Sequence, residues 1–383
     1  MSNLGTTDFE LSQAYLQFWD KLEKANLFLN EMVRLADQPL DCREVLEWFQ
    51  MPSPDGGWWD MAVTLVEKYG VVPKDAMPDS FNACNTPDLD DLLARKLRKD
   101  ALKLRRAIAD GADAEAVDEL VANALSGVYR ILCIALGEPP AAFTLEYVAD
   151  ARTPERSGDA DLANRKAAAA CNPAFVRLAD QHPKQFLADH LDINLRDYVV
   201  LGNIPGDDRP YQTILEKPHR WALDGTPTRT LNMPIEVLKD AVIAQLKAGH
   251  PAWFSCDVLK NMERTDPTGL LDTETIDWNA LTGLDLTIDK ADGFDTREVS
   301  CNHAMTFQGV NLDDNGKPTA WRVENTWGEE KCRKGYFIMT DRFFDAYVGQ
   351  VVVHKDYLPA EVADLWTSPE TPVVSSTYWA PVA

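Results

Sequence analysis

Residues 301–328 read CNHAMTFQGVNLDDNGKPTAWRVENTWG. Two runs of strand-forming residues flank a polar turn that contains Asn315-Gly316, and this arrangement is typical of a β-hairpin. The first run carries His303 near its start, and the second carries Asn325 near its end. The pairing of the two strands therefore decides whether these two side chains meet.

The length of the turn sets the register of this hairpin. A five-residue loop over 313–317 pairs residue 312 with residue 318. His303 then faces Trp327, and Asn325 lies two positions along on the same side of the sheet, because strand side chains alternate. A two-residue loop would turn Asn325 to the other side unless a bulge intervened. We predict the five-residue loop.

An amide beside an imidazole can hold one ring nitrogen and leave the other free for proton transfer, as in hydrolases with a Cys-His-Asn set. The alternative is a buried histidine that is bonded to whichever polar group lies near it. Spacing alone leaves both interpretations of His303 open.

The composition is ordinary for a soluble globular protein, with 383 residues, 45% hydrophobic residues and 26% charged residues. We expect no apolar run long enough to span a bilayer. The first ten residues have no basic start and no apolar stretch, so they are not a secretory signal.

The seven cysteines are widely spaced and form no Cys-x-x-Cys pair. This pattern argues against a disulfide framework or a zinc site and suits a reducing, cytoplasmic location. The net charge of -23 disfavours nucleic acid and anionic membranes as partners.

The chain runs from helical patterns to strand patterns, which indicates an α+β protein. We predict helices over 8–36, 60–69 and 173–190, a helix-rich region over 87–135, and loop and turns over 139–165. After residue 198 we predict strands over 198–202, 228–232, 252–257, 335–340 and 348–354, with a helix over 235–248. The Pro-rich tail from Pro359 is predicted to be extended and not helical.

Several separate segments, in the same order, resemble the bleomycin hydrolase family of papain-like cysteine aminopeptidases. These are FELSQAY at 9–15, WDKLEKAN at 19–26, DGG at 55–57, EKYGVVPK at 67–74, FSCDV at 254–258, HAM at 303–305 and ENTWG at 324–328. The resemblance implies a papain-like fold with a helical half, a β-barrel half and a helical insertion. The implied domains are 1–86 (remainder of the helical half), 87–197 (insertion), 198–358 (β-rich half) and 359–383 (C-terminal arm).

The resemblance also implies roles for single residues. His303 corresponds to the catalytic histidine, Asn325 to the asparagine that orients it, and Trp327 to the ring that shields their hydrogen bond from water. Gly56 and Gly57 would lie along the backbone of a peptide substrate.

The implied C-terminal arm ends at Ala383, whose carboxylate would meet the amino group of the substrate and limit cleavage to the chain end. The family further implies a homo-oligomer, a ring of six copies, and no metal or organic cofactor.

The chain departs from the family at the nucleophile. The family's cysteine lies in a Gly-Arg-Cys-Trp-like motif before the segment that matches Phe9, and an oxyanion-hole glutamine precedes it. Neither is present here, so we expect this chain to be inactive alone. Two interpretations follow: an aminopeptidase whose N-terminal part is missing from the sequence, or a non-catalytic peptide-binding or ring-forming descendant. Cys301 shares a strand face with His303 but lacks a helix dipole to activate it.

Overall fold

The computed structural model describes the chain except for residues 1–3, 7–8, 150–174, 192, 218–221, 224, 263–267 and 376–383. Two compact units are found. The first comprises 1–55, 61–194 and 221–226, and the second comprises 56–60, 195–220 and 227–383. The four domains expected from the sequence remain predictions.

Among the described residues, most helices belong to the first unit and most strands to the second. The helices are α1 (Gln13–Arg34), α2 (Arg43–Gln50), α3 (Trp59–Tyr69), α4 (Phe81–Cys84), α5 (Pro87–Ala109), α6 (Ala114–Leu136), α7 (Pro183–Phe186), α8 (Ile235–Lys247), α9 (Trp278–Thr282), α10 (Lys290–Thr296), α11 (Asp341–Tyr347) and α12 (Ala360–Thr367). The strands are β1 (Phe143–Val148), β2 (Phe175–Gln181), β3 (Tyr198–Gly202), β4 (Thr213–Lys217), β5 (Thr228–Asn232), β6 (Ala252–Cys256), β7 (Leu270–Leu271), β8 (His303–Leu312), β9 (Pro318–Glu324), β10 (Tyr336–Thr340), β11 (Val348–His354) and β12 (Val373–Ser375).

Helices α1, α5 and α6 pack on one another in the first unit. Side chains that cap helix N-termini define where two of them begin. The Oγ of Ser12 accepts from the N–H of Tyr15 at 3.0 Å, and Oδ1 of Asp113 accepts from the N–H of Ala116 at 2.9 Å. The predicted long first helix is therefore present, although it begins at Gln13 instead of residue 8.

Gly70 follows the last residue of α3 and has φ +75. A Cβ at this position would lie 2.3 Å from the carbonyl carbon of Pro183. Glycine is required here both for the left-handed backbone and for this close approach of a second backbone.

Two predictions for the segment after α6 are wrong. Strand β1 lies within the region predicted as loop, and β2 covers much of the region predicted as a helix over 173–190. The two strands pair as an antiparallel hairpin. Among the described residues of that stretch, the short α7 and the π-helical turn Leu187–Leu191 are helical.

Helix α6 also corrects the expectation about apolar runs. Its 23 residues are long and apolar enough to cross a membrane by length and composition alone. Of its most apolar 18-residue window, 22% is buried inside the structure, and the buried face of α6 packs on α1 and α5. One such helix is weak evidence for a membrane span.

The second unit contains a ten-stranded sheet in the order β12-β4-β5-β3-β11-β6-β8-β9-β10-β7. Most neighbours are antiparallel, while β3–β5, β4–β12 and β7–β10 are parallel. Strand β8 pairs with β6, and this pairing places His303, the first residue of β8, opposite Cys256 at the end of β6. The strands predicted over 198–202, 228–232 and 348–354 have the observed bounds.

The β8–β9 hairpin has the predicted five-residue loop, because Leu312 pairs with Pro318. The register then shifts twice. Asn311 pairs with Ala320, which leaves Thr319 as an extra residue on β9, and the next shift leaves Gln308 as an extra residue on β8. The two shifts cancel, so Thr306 pairs with Glu324 as the predicted register requires.

The core of the second unit lies where α8 and α11 cover the sheet. Its centre is a group of aromatic rings in which Phe307 stacks on Phe254 at 3.8 Å and contacts Trp321 and Phe344 at 5.1 and 5.4 Å between ring centroids. These rings are almost inaccessible to solvent. Burial of this apolar area is the main stabilising contribution to the unit.

The prediction of a non-helical tail is wrong over part of its length. Pro359 precedes α12 as its N-cap residue, a position where the missing N–H of proline costs little. Strand β12 follows and pairs with β4 at the edge of the sheet. The last eight residues lie outside the described part of the chain.

Candidate active site

His303 and Asn325 meet at the end of the hairpin that lies away from its loop. The Nε2 of His303 and the Oδ1 of Asn325 are 2.8 Å apart. Both side chains are buried, with relative exposures of 8% and 7%. The predicted meeting of these two groups is present, and their catalytic role is a separate question.

A neighbouring backbone amide determines which end of the Asn325 amide faces the histidine. The N–H of Thr326 donates to Oδ1 of Asn325 at 2.8 Å. A backbone N–H can only donate, so the atom that it contacts must be the carbonyl oxygen. The same oxygen faces Nε2 of His303, and Nε2 therefore carries the hydrogen. In the neutral imidazole, Nδ1 is then the nitrogen with the free lone pair.

Trp327 covers this pair on one side. Its ring centroid lies 4.8 Å from that of His303, with an interplanar angle of 33°. Phe337 supports the tryptophan edge-on at 5.9 Å. Exclusion of water strengthens a hydrogen bond between polar groups, so this contact suits the shielding role predicted for Trp327.

A second polar cluster holds the backbone just before His303, and the sequence did not point to it. The carboxylate of Asp257 accepts from the N–H of Ser300 at 3.0 Å and from Nδ2 of Asn302 at 2.5 Å. The Oδ1 of Asn302 accepts in turn from the N–H of Val258 at 3.0 Å. Burial raises the pKa of Asp257. In the sequence, the one sign of this cluster is that the segments Cys-Asp-Val and Cys-Asn-His each carry a polar residue directly after a cysteine.

The two cysteines nearest to His303 along the strands are neutral thiols. Cys256 is the cross-strand partner of His303, and burial raises the pKa of its thiol well above the usual value. Burial raises the pKa of Cys301 to about 11, and its Sγ fills the space beside Gly349. Neither thiol is a nucleophilic thiolate near neutral pH.

Gly56 and Gly57 lie in the same unit as His303 and Asn325, on a segment that is anchored to the sheet by the residues that follow it. The ring centroid of Trp58 lies 5.9 Å from Nζ of Lys217 on β4, and the ring centroids of Trp59 and of Tyr198 on β3 are 5.5 Å apart. The Oδ2 of Asp60 accepts from the backbone N–H of Arg229 on β5 at 3.2 Å.

The structure thus brings together three of the predicted site residues, His303, Asn325 and Trp327. Ala383 lies outside the described residues. Within the part of the chain that the structure describes, no group of three or more His, Cys, Asp or Glu side chains could hold a metal ion.

Comparison with known proteins places this site in a family. The model of the Peptidase C1-like family matches residues 1–161 and 173–383. Aminopeptidase G of Lactobacillus delbrueckii subsp. lactis is 42% identical over 370 residues, which are 96% of this chain and 77% of that protein. Aminopeptidase C of Listeria innocua serovar 6a is 38% identical over 366 residues, which are 95% of this chain and 77% of that protein.

A solved structure agrees. The crystal structure of PepW from Lactobacillus rhamnosis HN001 superposes with a TM-score of 0.85 at 38% identity, covering 99% of this chain and 80% of that chain. The match supports the predicted α+β, papain-like fold class. These comparisons show that the chain belongs to the Peptidase C1-like family, so the predicted family, fold class and enzyme type are confirmed.

Proposed function

We propose that the chain carries the proton-transfer half of a cysteine aminopeptidase of the bleomycin hydrolase type, which removes N-terminal residues from peptides. The observation that carries this proposal is the Asn325 oxygen, held by the Thr326 N–H and contacting Nε2 of His303 at 2.8 Å. This arrangement leaves Nδ1 of His303 as the atom that exchanges protons with a thiol, a leaving amine or water.

The proposed reaction proceeds in two steps. A cysteine thiolate attacks the first peptide carbonyl, and Nδ1–H of the protonated His303 donates its proton to the departing amine. His303 then takes a proton from water, whose oxygen attacks the thioester and releases the amino acid. Asn325 keeps the ring in one orientation throughout, and Trp327 keeps water from the hydrogen bond between them.

We further propose that Cys256 and Cys301, the thiols near His303 in the chain, do not supply the nucleophile, and that this chain alone does not turn over peptides. The burial of Cys256 and Cys301 favours their neutral forms. The alternative function, a peptide-binding or ring-forming protein without catalysis, uses the same intact His303–Asn325 pair and the same neutral thiols.

An activity assay tests whether the chain has a nucleophile of its own. The chain is incubated with aminoacyl fluorogenic amides, with and without a thiol-alkylating reagent. We expect the chain to show no thiol-dependent turnover, that is, none that is lost on alkylation. Turnover that is lost both on alkylation and in His303→Ala, but kept in the control His250→Ala, would show that the chain has its own nucleophile. Turnover that persists in His303→Ala would remove His303 from the mechanism.

The tautomer of His303 gives a test that does not need turnover. We expect the imidazole ¹⁵N shifts at neutral or mildly basic pH to show hydrogen on Nε2. In Asn325→Ala that preference should weaken. A histidine that carries hydrogen on Nδ1 in the unaltered chain would contradict the proposed orientation.

The family resemblance supplies the remaining parts of the proposal, which concern the two glycines, the C-terminal tail and the assembly. Gly56 and Gly57 would bind the substrate backbone, the Ala383 carboxylate would bind its amino group, and six copies would form a ring in the cytoplasm. Light scattering coupled to size exclusion tests the assembly. A monomer at micromolar concentration would contradict the ring.

A further inference from the structure

A cavity of about 520 Å³ lies beside strands β8, β9 and β10 in the second unit. Among the residues that line it are Ala320, Arg322, Arg333, Tyr336 and Ile338. Its size is within the range of sites that bind small organic molecules, roughly 300 to 1,000 Å³.

The walls of this cavity are largely apolar, and two guanidinium groups are set among them. Ala320 and Ile338 supply aliphatic surface and Tyr336 supplies an aromatic ring, while Arg322 and Arg333 supply positive charge. Apolar walls with a few placed polar groups are the usual make-up of a small-molecule site.

Arg322 is held in a defined position by Tyr336. Its guanidinium carbon lies 4.0 Å from the centroid of the tyrosine ring. Stacking covers one face of the guanidinium plane and leaves the N–H groups at its edge available. Side chains alternate along a strand, so Arg322 points away from the side on which its buried neighbours Trp321 and Val323 pack.

Positive charge that no carboxylate neutralises is unusual in this acidic chain. The chain has a net charge of -23, yet in its described part neither Arg322 nor Arg333 forms an ion pair with a carboxylate. Glu324, the acidic residue on the same face of β9, is held by Nε2 of Gln308 and does not line the cavity. The two arginines are therefore free to bind an external anion.

We propose that this cavity binds a small organic carboxylate with an apolar body, of the size of an amino acid or a dipeptide. The planar edge of Arg322 matches a planar carboxylate with two parallel N–H···O bonds. Arg333 supplies the second positive charge, and the body of the ligand packs on Ala320 and Ile338. The site involves neither His303 nor Asn325.

Three probes separate recognition of charge from recognition of shape. Binding of N-acetyl-L-phenylalanine, of its uncharged amide N-acetyl-L-phenylalaninamide, and of inorganic phosphate is measured by ligand-detected NMR or calorimetry. We expect the acid to bind at least tenfold more tightly than the amide or phosphate. The proposal would be overturned by equal affinity for the acid and the amide or by equal affinity for the acid and phosphate. It would also be overturned if the acid did not bind at a concentration of about 10 millimolar.

Variants assign the charge to its residues. Arg322→Gln should weaken binding of the acid about tenfold or more, since the charged guanidinium is lost. The affinity of Arg322→Lys for the acid should lie between that of Arg322→Gln and that of the unaltered chain. Arg333→Gln, which leaves the Arg322–Tyr336 stack intact, should also weaken it.

The matched control is Arg106→Gln, the same charge change at an exposed position of α5 in the first unit, and it should bind the acid like the unaltered chain. Melting temperatures and the ¹⁵N signals of His303 should be unchanged in all variants. If Arg322→Gln and Arg333→Gln both bind normally while they remain folded, the proposal is wrong. Because the His303 signals are followed separately, this failure is distinguishable from failure of the peptidase proposal.

Discussion

Both units bury apolar and polar side chains, but two of their buried groups differ in chemistry. In the first unit, α1 buries Lys21 and Lys24, whose ammonium groups contact carboxylates and backbone carbonyl groups. In the second unit, β6, β8 and β9 bury a stack of aromatic rings around Phe307. A buried charge is tolerated only while its partners remain, whereas a packed ring depends on the volume that it fills. The same degree of burial therefore predicts different responses to substitution.

The largest effect is expected in the aromatic stack. Phe307→Ala should lower the free energy of unfolding of the second unit by about 3–5 kcal/mol, because the cavity removes contacts with three rings. Urea denaturation followed by tryptophan fluorescence measures this change. The control is Phe81→Ala at a side chain that is 75% exposed, which should change stability little. A loss below about 1 kcal/mol for Phe307→Ala would mean that volume does not govern this core.

The next effect concerns the buried lysine. Lys21→Ala leaves the carboxylates of Asp55 and Asp90 and the carbonyl of Ser53 without their shared partner. We expect a loss of about 2–3 kcal/mol, below the usual cost for a fully buried pair because both carboxylates are partly exposed.

Lys21→Met tests whether charge or volume matters at the same position. It keeps the length of the side chain but removes the ammonium group, so it should lose most of what Lys21→Ala loses. If Lys21→Met unfolds at the same urea concentration as the unaltered chain, the contrast between the two units fails.

Asp60 is a half-buried carboxylate in the second unit. Burial raises its pKa to about 6, opposed by the Arg229 N–H and by the charges of Arg196 and Arg229. Since the folded state holds the proton more tightly than the unfolded state, Asp60 favours folding below its unfolded pKa near 4, and this contribution is lost as pH rises through about 6. Asp60→Asn should remove that slope and raise the free energy of unfolding at pH 7 by about 1–2 kcal/mol.

The measurement is a set of urea curves between pH 4 and pH 8. An unchanged slope in Asp60→Asn would show that Asp60 titrates normally. Asp314→Asn, at an exposed carboxylate in the hairpin loop of the same unit, serves as the control.

The smallest effect is expected on the surface of the first unit. Arg34 of α1 forms ion pairs with Glu31 and Glu44 in an exposed setting. Arg34→Ala should change the free energy of unfolding by about 0.2–1 kcal/mol and less at high salt, because solvent screens such pairs. A loss comparable to that of Lys21→Ala would show that burial does not separate the two kinds of ion pair on α1.

Local patterns allowed the hairpin and its pair of polar residues to be predicted. The five-residue loop, the position of β8 and the meeting of His303 with Asn325 all follow from turn chemistry and strand alternation. The extra residues Gln308 and Thr319 could not be predicted, since a bulge depends on what packs around the strand.

The errors have a shared physical cause. Strand β2 alternates weakly and is mostly exposed, so its formation depends on β1, which is separated from it by more than 25 residues. Helix α12 begins directly after a proline that looked like a helix breaker. The cluster of Asp257 and Asn302 depends on the pairing of β6 with β8, which no single segment encodes.

The two extra residues of the hairpin lie on opposite strands, Thr319 on β9 and Gln308 on β8. Lengthening one strand by one residue moves every later side chain to the other face, and a matching insertion on the other strand restores the original phase. We therefore expect this hairpin to accept insertions and deletions in compensating pairs. In an alignment of relatives, a gap in one strand should be accompanied by a gap in the other, and an uncompensated gap should mark a chain whose histidine and asparagine no longer face each other.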